Sequence, residues 1–283
     1  MRKGLLLLLL MFLCACSTDT PMETQAQRYS KVIDTSRFAP WSGPAADAAV
    51  LPGNVRAVIV PHGGEALGMA AQVIAGLAES RPGTVILLGP NHTVAGPKIA
   101  ATYAAFSTYD GMVLPREDLV RSLAGRGLAG IDDSLFEEEH SVGILMPLLA
   151  RYLPGTKVVP LIFQKNMPIT AAKNAINTIY GLAGDAVIVA SIDFSHDLPA
   201  REELDRREKM LDYIRAFDCA GVFGLDATYV DAPVLLAALL QLLKDSGCGM
   251  ELIAGANTAE LLGMDVPAAT GYMTIVFYAK DIP

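Results

Sequence analysis

The chain has 283 residues, 52% hydrophobic and 18% charged, which is enough to bury a sizeable core and unlike a disordered composition. Its net charge of −8, with no concentrated basic stretch, excludes nucleic acid as a partner.

The chain opens with the pattern of a processing signal. "MRKG" is a basic n-region and "LLLLLLMFL" an apolar core of nine residues, too short to cross a bilayer that needs about 20. "LCAC" follows and resembles the bacterial lipobox, with Leu13, a small Ala15 and then Cys16. The expectation is a signal peptide over residues 1–15 and lipidation of Cys16. Ser17 after the cysteine resembles Gram-negative lipoproteins sorted to the outer membrane, facing the periplasm, which touch the membrane through the lipid alone. Residues 16–50, ending in the Ala-, Pro- and Gly-rich "FAPWSGPAADAA", read as a tether on which Trp41 packs against the domain surface. Residues 51–283 form the domain. Cys219 and Cys248 are either a disulfide or a pair of buried thiols.

From residue 54 apolar strands and amphipathic helices alternate. "VRAVIVP" is a buried strand, and "ALGMAAQVIAGLAES" is a helix with Met69, Val73, Ile74 and Leu77 on its inner face. "TVILLGP" and "PKIAATYAAFST" read as strands, and "PREDLVRSLAGRG" as a helix opening at Pro115. "SVGILMPLLARYLPG" is a helix bent or restarted at Pro147. "KVVPLIF" is a strand, "TAAKNAINTIYGLAG" a helix and "AVIVASIDFS" a strand. "PAREELDRREKMLDYIRAF" is a helix burying Leu204, Leu211 and Ile214, and "APVLLAALLQLLKDSG" is a buried helix. "MELIAGA" and "YMTIVFYA" close the sheet. The alternation predicts an α/β fold, a largely parallel sheet with helices on both faces.

The chain has four histidines. His62 in "VIVPHGG", His92 in "LLGPNH" and His196 in "VASIDFSH" each follow a strand, and His140 in "FEEEHS" opens a helix. In open α/β sheets ligands bind outside the carboxyl ends of the strands, so the four are expected on one rim. Neutral imidazole is a common ligand of iron, copper, nickel and zinc and the usual acid or base near neutral pH. Asp193 and Glu139 stand near His196 and His140 in sequence, where each can orient an imidazole or bind a metal itself. No P-loop, H-E-x-x-H or G-x-S-x-G occurs.

"PHGG", "LLGPNH", "EEEHSVGILMPLL", "VIVASIDFSH" and "TGYMTIVFY", in this order over residues 54–279, resemble the signatures of the Memo family, the B component of the AmmeMemoRadiSam system. That family's fold is similar to the catalytic subunit of class III extradiol dioxygenases, which are non-haem iron enzymes. The resemblance places metal-site histidines at His62 and His92 and an acid/base histidine at His196, with Asp193 beside it and His140 on the same cleft. It implies a divalent metal, iron or copper, and a small-molecule ligand.

The sequence departs from the family pattern in three places. Glu65 stands where a tyrosine is common, Gly143 where a glutamate is common, and Tyr229 takes the place of the cysteine that is often the third ligand. A carboxylate is expected to replace that cysteine: Asp231, with Asp226 and Glu65 as the other candidates. Two histidines and a carboxylate make the facial triad of non-haem iron oxygenases. Three readings follow: a metal-dependent redox enzyme with His196 moving protons, a metal- or ligand-binding protein without turnover, and a metal-dependent hydrolase with Asp193 or Glu139 as base.

Overall fold

The computed structural model describes residues 31–38, 46–226 and 228–280. The expected signal peptide, Cys16 and Trp41 lie outside them. The strands are β1 (Val32–Asp34), β2 (Val55–Val60), β3 (Thr84–Asn91), β4 (Ile99–Ala101), β5 (Ala105–Thr108), β6 (Gly111–Pro115), β7 (Gly130–Ile131), β8 (Lys157–Gln164), β9 (Val187–Ser191), β10 (Cys248–Asn257) and β11 (Gly271–Ala279). The helices are α1 (Leu67–Leu77), α2 (Glu117–Gly125), α3 (Asp133–Glu138), α4 (His140–Gly143), α5 (Met146–Tyr152), α6 (Ile169–Ala183), α7 (Ala200–Arg215), α8 (Cys219–Phe223), α9 (Pro233–Asp245) and α10 (Thr258–Leu262). None of them is long and apolar enough to cross a membrane.

The strands form one sheet in the order β1-β5-β6-β8-β3-β9-β2-β11-β10, with β4 paired to β8 and to β7. The five strands from β6 to β2 are mutually parallel, and antiparallel pairing appears at β5–β6, β4–β8, β2–β11 and β10–β11. The central strands are apolar on both sides because both faces are covered. One core lies beneath α2, α6, α7 and α9, and the other beneath α1 and α5. The parallel strands β2, β3 and β9 deliver their carboxyl ends to a single rim of the sheet.

Several local expectations are corrected, while the helix restart at Pro147 and the buried thiols fall within what the sequence allowed. The supposed single strand of residues 97–108 is two, β4 and β5, separated at 102–104 where the Thr102 hydroxyl accepts from the Ala104 N–H. Pro115 ends β6 rather than opening a helix, and α2 starts at Glu117. The helix after His140 breaks into α4 and α5, with Pro147 in the first turn of α5. Part of the expected tether is structured: β1 pairs with β5, Ile33 is buried, and Phe38 packs on Gly143. Cys219 and Cys248 are free thiols, both buried.

On α7 the inner positions are Met210, Leu211 and Ile214 together with a buried Glu203, whereas Leu204 is 38% exposed. Glu203 is turned inward by hydrogen bonds to Asn257 and Ser195 and an ion pair with Arg207, which swings Leu204 outward. Truncating the fully buried Met210 to alanine is therefore expected to cost about 2–5 kcal/mol, and Leu204→Ala about 1 kcal/mol or less, in guanidinium denaturation of the two variants.

Candidate metal centre

His62 lies two residues beyond β2 and His92 one residue beyond β3, while His140 opens α4. The three imidazoles meet over the sheet rim. Ring centroids are 5.3 Å apart for His62–His92 and His62–His140 and 4.7 Å for the stacked His92–His140 pair. One nitrogen from each lies within 4.8 Å of those of the other two. His62 is buried, His92 half-buried and His140 exposed, so the cluster opens to solvent on the His140 side. His196 is not one of the three.

Asp231 is brought in by crossing chains. The segment after β9 and the one before α9 form an antiparallel bridge, Phe194 with Val230, and the Asp231 N–H donates to the Asp193 carbonyl at 3.2 Å. This seats two buried carboxylates under the histidines. Asp231 Oδ2 is 3.1 Å from His62 Nε2 and 3.8 Å from His92 Nε2. Asp231 Oδ1 is buried and has no hydrogen-bond partner. Asp193 Oδ1 accepts from the backbone N–H groups of His62 (2.9 Å) and Gly63 (3.4 Å), and its Oδ2 is 3.6 Å from His62 Nε2. Asp193 thus holds the His62 turn, not the His196 ring beside which its sequence position put it. His196 lies near Asp193 and Asp231, and its Nδ1 is buried without a hydrogen-bond partner.

Glu139 is likewise displaced in role. Its Oε1 is 2.8 Å from His92 Nδ1 and its Oε2 accepts from the His92 N–H at 2.7 Å, while the Ser141 N–H donates to Oε1 at 3.0 Å, capping α4. Its own neighbour His140 is farther, at 3.4 Å. An ionised carboxylate accepts only, so His92 carries its proton on Nδ1 and turns Nε2 toward Asp231. His62 Nδ1 lies 3.0 Å from Ser191 Oγ, and Ser191 Oγ donates to the Ser141 carbonyl at 2.5 Å. Ser191 and Ser141 were not singled out in the sequence. Their only signal was that small polar residues stand beside Asp193 and His140 in "SIDFSH" and "EHS".

The other two carboxylate candidates for the third position lie elsewhere. Asp226 is exposed and accepts from Thr228, and Glu65 is exposed and accepts from Tyr272 Oη at 3.5 Å. Tyr229 points toward α7, its ring under Arg206 at 4.4 Å and its hydroxyl 3.2 Å from Lys209 Nζ. At Gly143 a Cβ would run into the Phe38 ring, so a larger side chain is excluded while Phe38 is in place.

The electrostatics describe a cage for positive charge. Burial works against a charged His62, but Asp193 and Asp231 outweigh it and hold its pKa above the ordinary value. Burial likewise opposes charging of His92, yet hydrogen bonds to Asp231 and Glu139 push it up to about 9. Burial alone would raise Glu139, but His92 holds it down at about 2. Asp231, also opposed by burial, is held well below the carboxylate range by His62 and His92. Burial and the two neighbouring histidines lower His140. Imidazole nitrogens facing a carboxylate oxygen need a proton or another cation between them. Two donors on one ion at about 2.1 Å sit about 3.0–3.4 Å apart, and the 3.1 Å from His62 Nε2 to Asp231 Oδ2 matches that spacing. A nitrogen-and-carboxylate donor set with an unpartnered buried oxygen therefore fits a divalent transition metal.

The sequence model of the family described as "Memo-like protein" matches residues 34–249. The chain is 29% identical over 240 residues to a MEMO1 family protein of Methanopyrus kandleri, covering 80% of this chain and 84% of that one. It is 27% identical over 237 residues to a MEMO1 family protein of Caldivirga maquilingensis, covering 79% and 83%. The crystal structure of an uncharacterized Escherichia coli K12 protein superposes with a TM-score of 0.47 at 13% identity, over 76% of this chain and 99% of that one.

Cation binding in this cage would have to displace a proton from His92, held at about 9, and would compete with protonation of His62, which its carboxylate neighbours raise. Metal affinity is therefore expected to rise with pH up to about 9 and to fall on acidification, as read by chelator competition between pH 6 and 9. An affinity independent of pH would contradict the proton–metal exchange.

Proposed function

Because the chain belongs to the Memo-like protein family, we propose that it is a metal-dependent redox protein of the cell envelope acting on a small molecule. Iron or copper would be held by His62, His92 and Asp231, with His140 on the solvent-open side. One observation carries this reading: two imidazole Nε2 atoms converge on one buried carboxylate oxygen, at 3.1 and 3.8 Å, whose companion oxygen has no partner. A redox metal there supplies electron transfer and polarisation of a bound substrate.

The protein's own groups supply the rest. Glu139 fixes the His92 ring and Asp193 fixes the His62 turn, so the donors are set before a ligand arrives. His196, whose buried Nδ1 has no hydrogen-bond partner, holds or moves a proton of the bound small molecule. The solvent-open His140 side is the entry path. The N-terminal pattern ending at Cys16 ties this chemistry to a lipid-anchored protein of the outer membrane, facing the periplasm.

Metal content of the full chain, purified without chelator, is expected at nearly one equivalent of iron or copper and at background in the His62→Ala/His92→Ala double variant. Asp231→Ala is expected to weaken metal binding at least about tenfold. Zinc alone in the wild type would turn the reading toward metal-assisted hydrolysis with Asp193 or Glu139 as base, and no metal after anaerobic reconstitution would overturn it. A Cys16→Ser variant is expected to leave the membrane fraction and to lose the lipid mass on intact-protein mass spectrometry; unchanged membrane retention would contradict the anchor.

A further inference from the structure

We propose that Ser191 is the positioning residue that fixes the tautomer of His62, through a hydrogen-bond chain that runs by way of Ser141 to Glu139 and locks both histidines to one orientation. The inference rests on the metal-centre reading and deepens it.

The direction of each hydrogen bond follows from what the atoms can do. A backbone carbonyl has no proton to give, so at the 2.5 Å contact with the Ser141 carbonyl the Ser191 hydroxyl is the donor. Its single proton is then spent, and toward His62 Nδ1, at 3.0 Å, it presents a lone pair. The proton in that contact must come from His62. The ring is therefore protonated on Nδ1, and Nε2 is the nitrogen turned toward Asp231 Oδ2. Ser191 is fully buried, so no solvent competes for these bonds.

The Ser141 carbonyl is free for this role because of the break between α4 and α5. In a continuous helix the N–H of Leu145, four residues on, would occupy it. Here Leu145 N–H bonds the Val142 carbonyl at 3.3 Å. Ser141 is pinned from two further sides: its Oγ donates to the Pro90 carbonyl at 2.8 Å and its N–H donates to Glu139 Oε1 at 3.0 Å. That same Oε1 accepts from His92 Nδ1 at 2.8 Å. The chain thus runs from His62 through Ser191, Ser141 and Glu139 to His92, and each histidine keeps Nε2 for the centre. Gly89 permits it, since a Cβ there would lie 2.7 Å from Ser141 Oγ.

The test compares the zinc-loaded full chain with Ser191→Ala and Ser141→Ala, using histidine-selective 15N NMR for the tautomer and chelator competition for zinc affinity. In the wild type His62 is expected to show a protonated Nδ1 and a metal-bound Nε2. Ser191→Ala is expected to lose the protected Nδ1 proton signal and to bind zinc about 10–100-fold more weakly. Ser141→Ala, also a buried hydroxyl loss, keeps the backbone carbonyl and is expected to retain the His62 tautomer. A wild-type His62 bound through Nδ1, or a Ser191→Ala variant with wild-type zinc affinity and an unchanged Nδ1 signal, would overturn the proposal. Should Ser191→Ala fail to fold, the wild-type spectrum alone decides. A wild type that takes up no zinc defeats the metal reading instead; the Nδ1 proton of the metal-free chain then still reports whether Ser191 accepts from His62.

Discussion

Two imidazole nitrogens face one buried carboxylate oxygen, and the site must supply positive charge between them. Asp231 Oδ2 cannot sit 3.1 Å from His62 Nε2 and 3.8 Å from His92 Nε2 while all three atoms present lone pairs. The carboxylates around them hold both histidines above their ordinary values despite burial. A divalent cation bound there would fill the gap with more charge, beside an Asp231 Oδ1 that has no hydrogen-bond partner. The surrounding groups are arranged to make the exchange one of cations, with the frame unchanged.

That frame depends on unlike pieces of backbone meeting at one rim. Parallel pairing of β2, β3 and β9 puts three strand ends together, and the bridge between Phe194 and Val230 adds Asp231 from the other side. Glu139 is the joint between strand and helix: it caps α4, holds the His92 backbone and orients the His92 ring. The interrupted helix at residues 144–145 has a structural purpose here, because it releases the Ser141 carbonyl toward the sheet. Phe38, from the segment ahead of the domain, fills the space over Gly143 and closes the back of α4.

The histidine rim was legible in the sequence because each apolar run stopped at Gly or Pro just before a histidine, and strand ends are where α/β sheets place their ligands. Three of the four histidines do meet, and the α/β sheet reads from the same alternation. Pairwise partners were not legible. Proximity in sequence linked Asp193 to His196 and Glu139 to His140, but across a sheet rim the nearest side chain belongs to the neighbouring strand, so Asp193 serves His62 and Glu139 serves His92. Of the three carboxylates proposed in place of the cysteine, the bridge at Val230 turns Asp231 inward, and it turns Tyr229 out beneath Arg206. Leu204 was assigned inward by periodicity alone, which carries no information that a neighbouring glutamate finds buried partners. β1 escaped notice because three residues in a polar stretch carry too little pattern to mark a strand.

Anomalous diffraction from crystals of the protein grown with cobalt would test the cage most directly. The account predicts one anomalous peak bound by His62 Nε2, His92 Nε2 and Asp231, at about 2.0–2.2 Å from each. No peak at the rim, or one ligated through Nδ1 of either histidine with Asp231 left out, would contradict it.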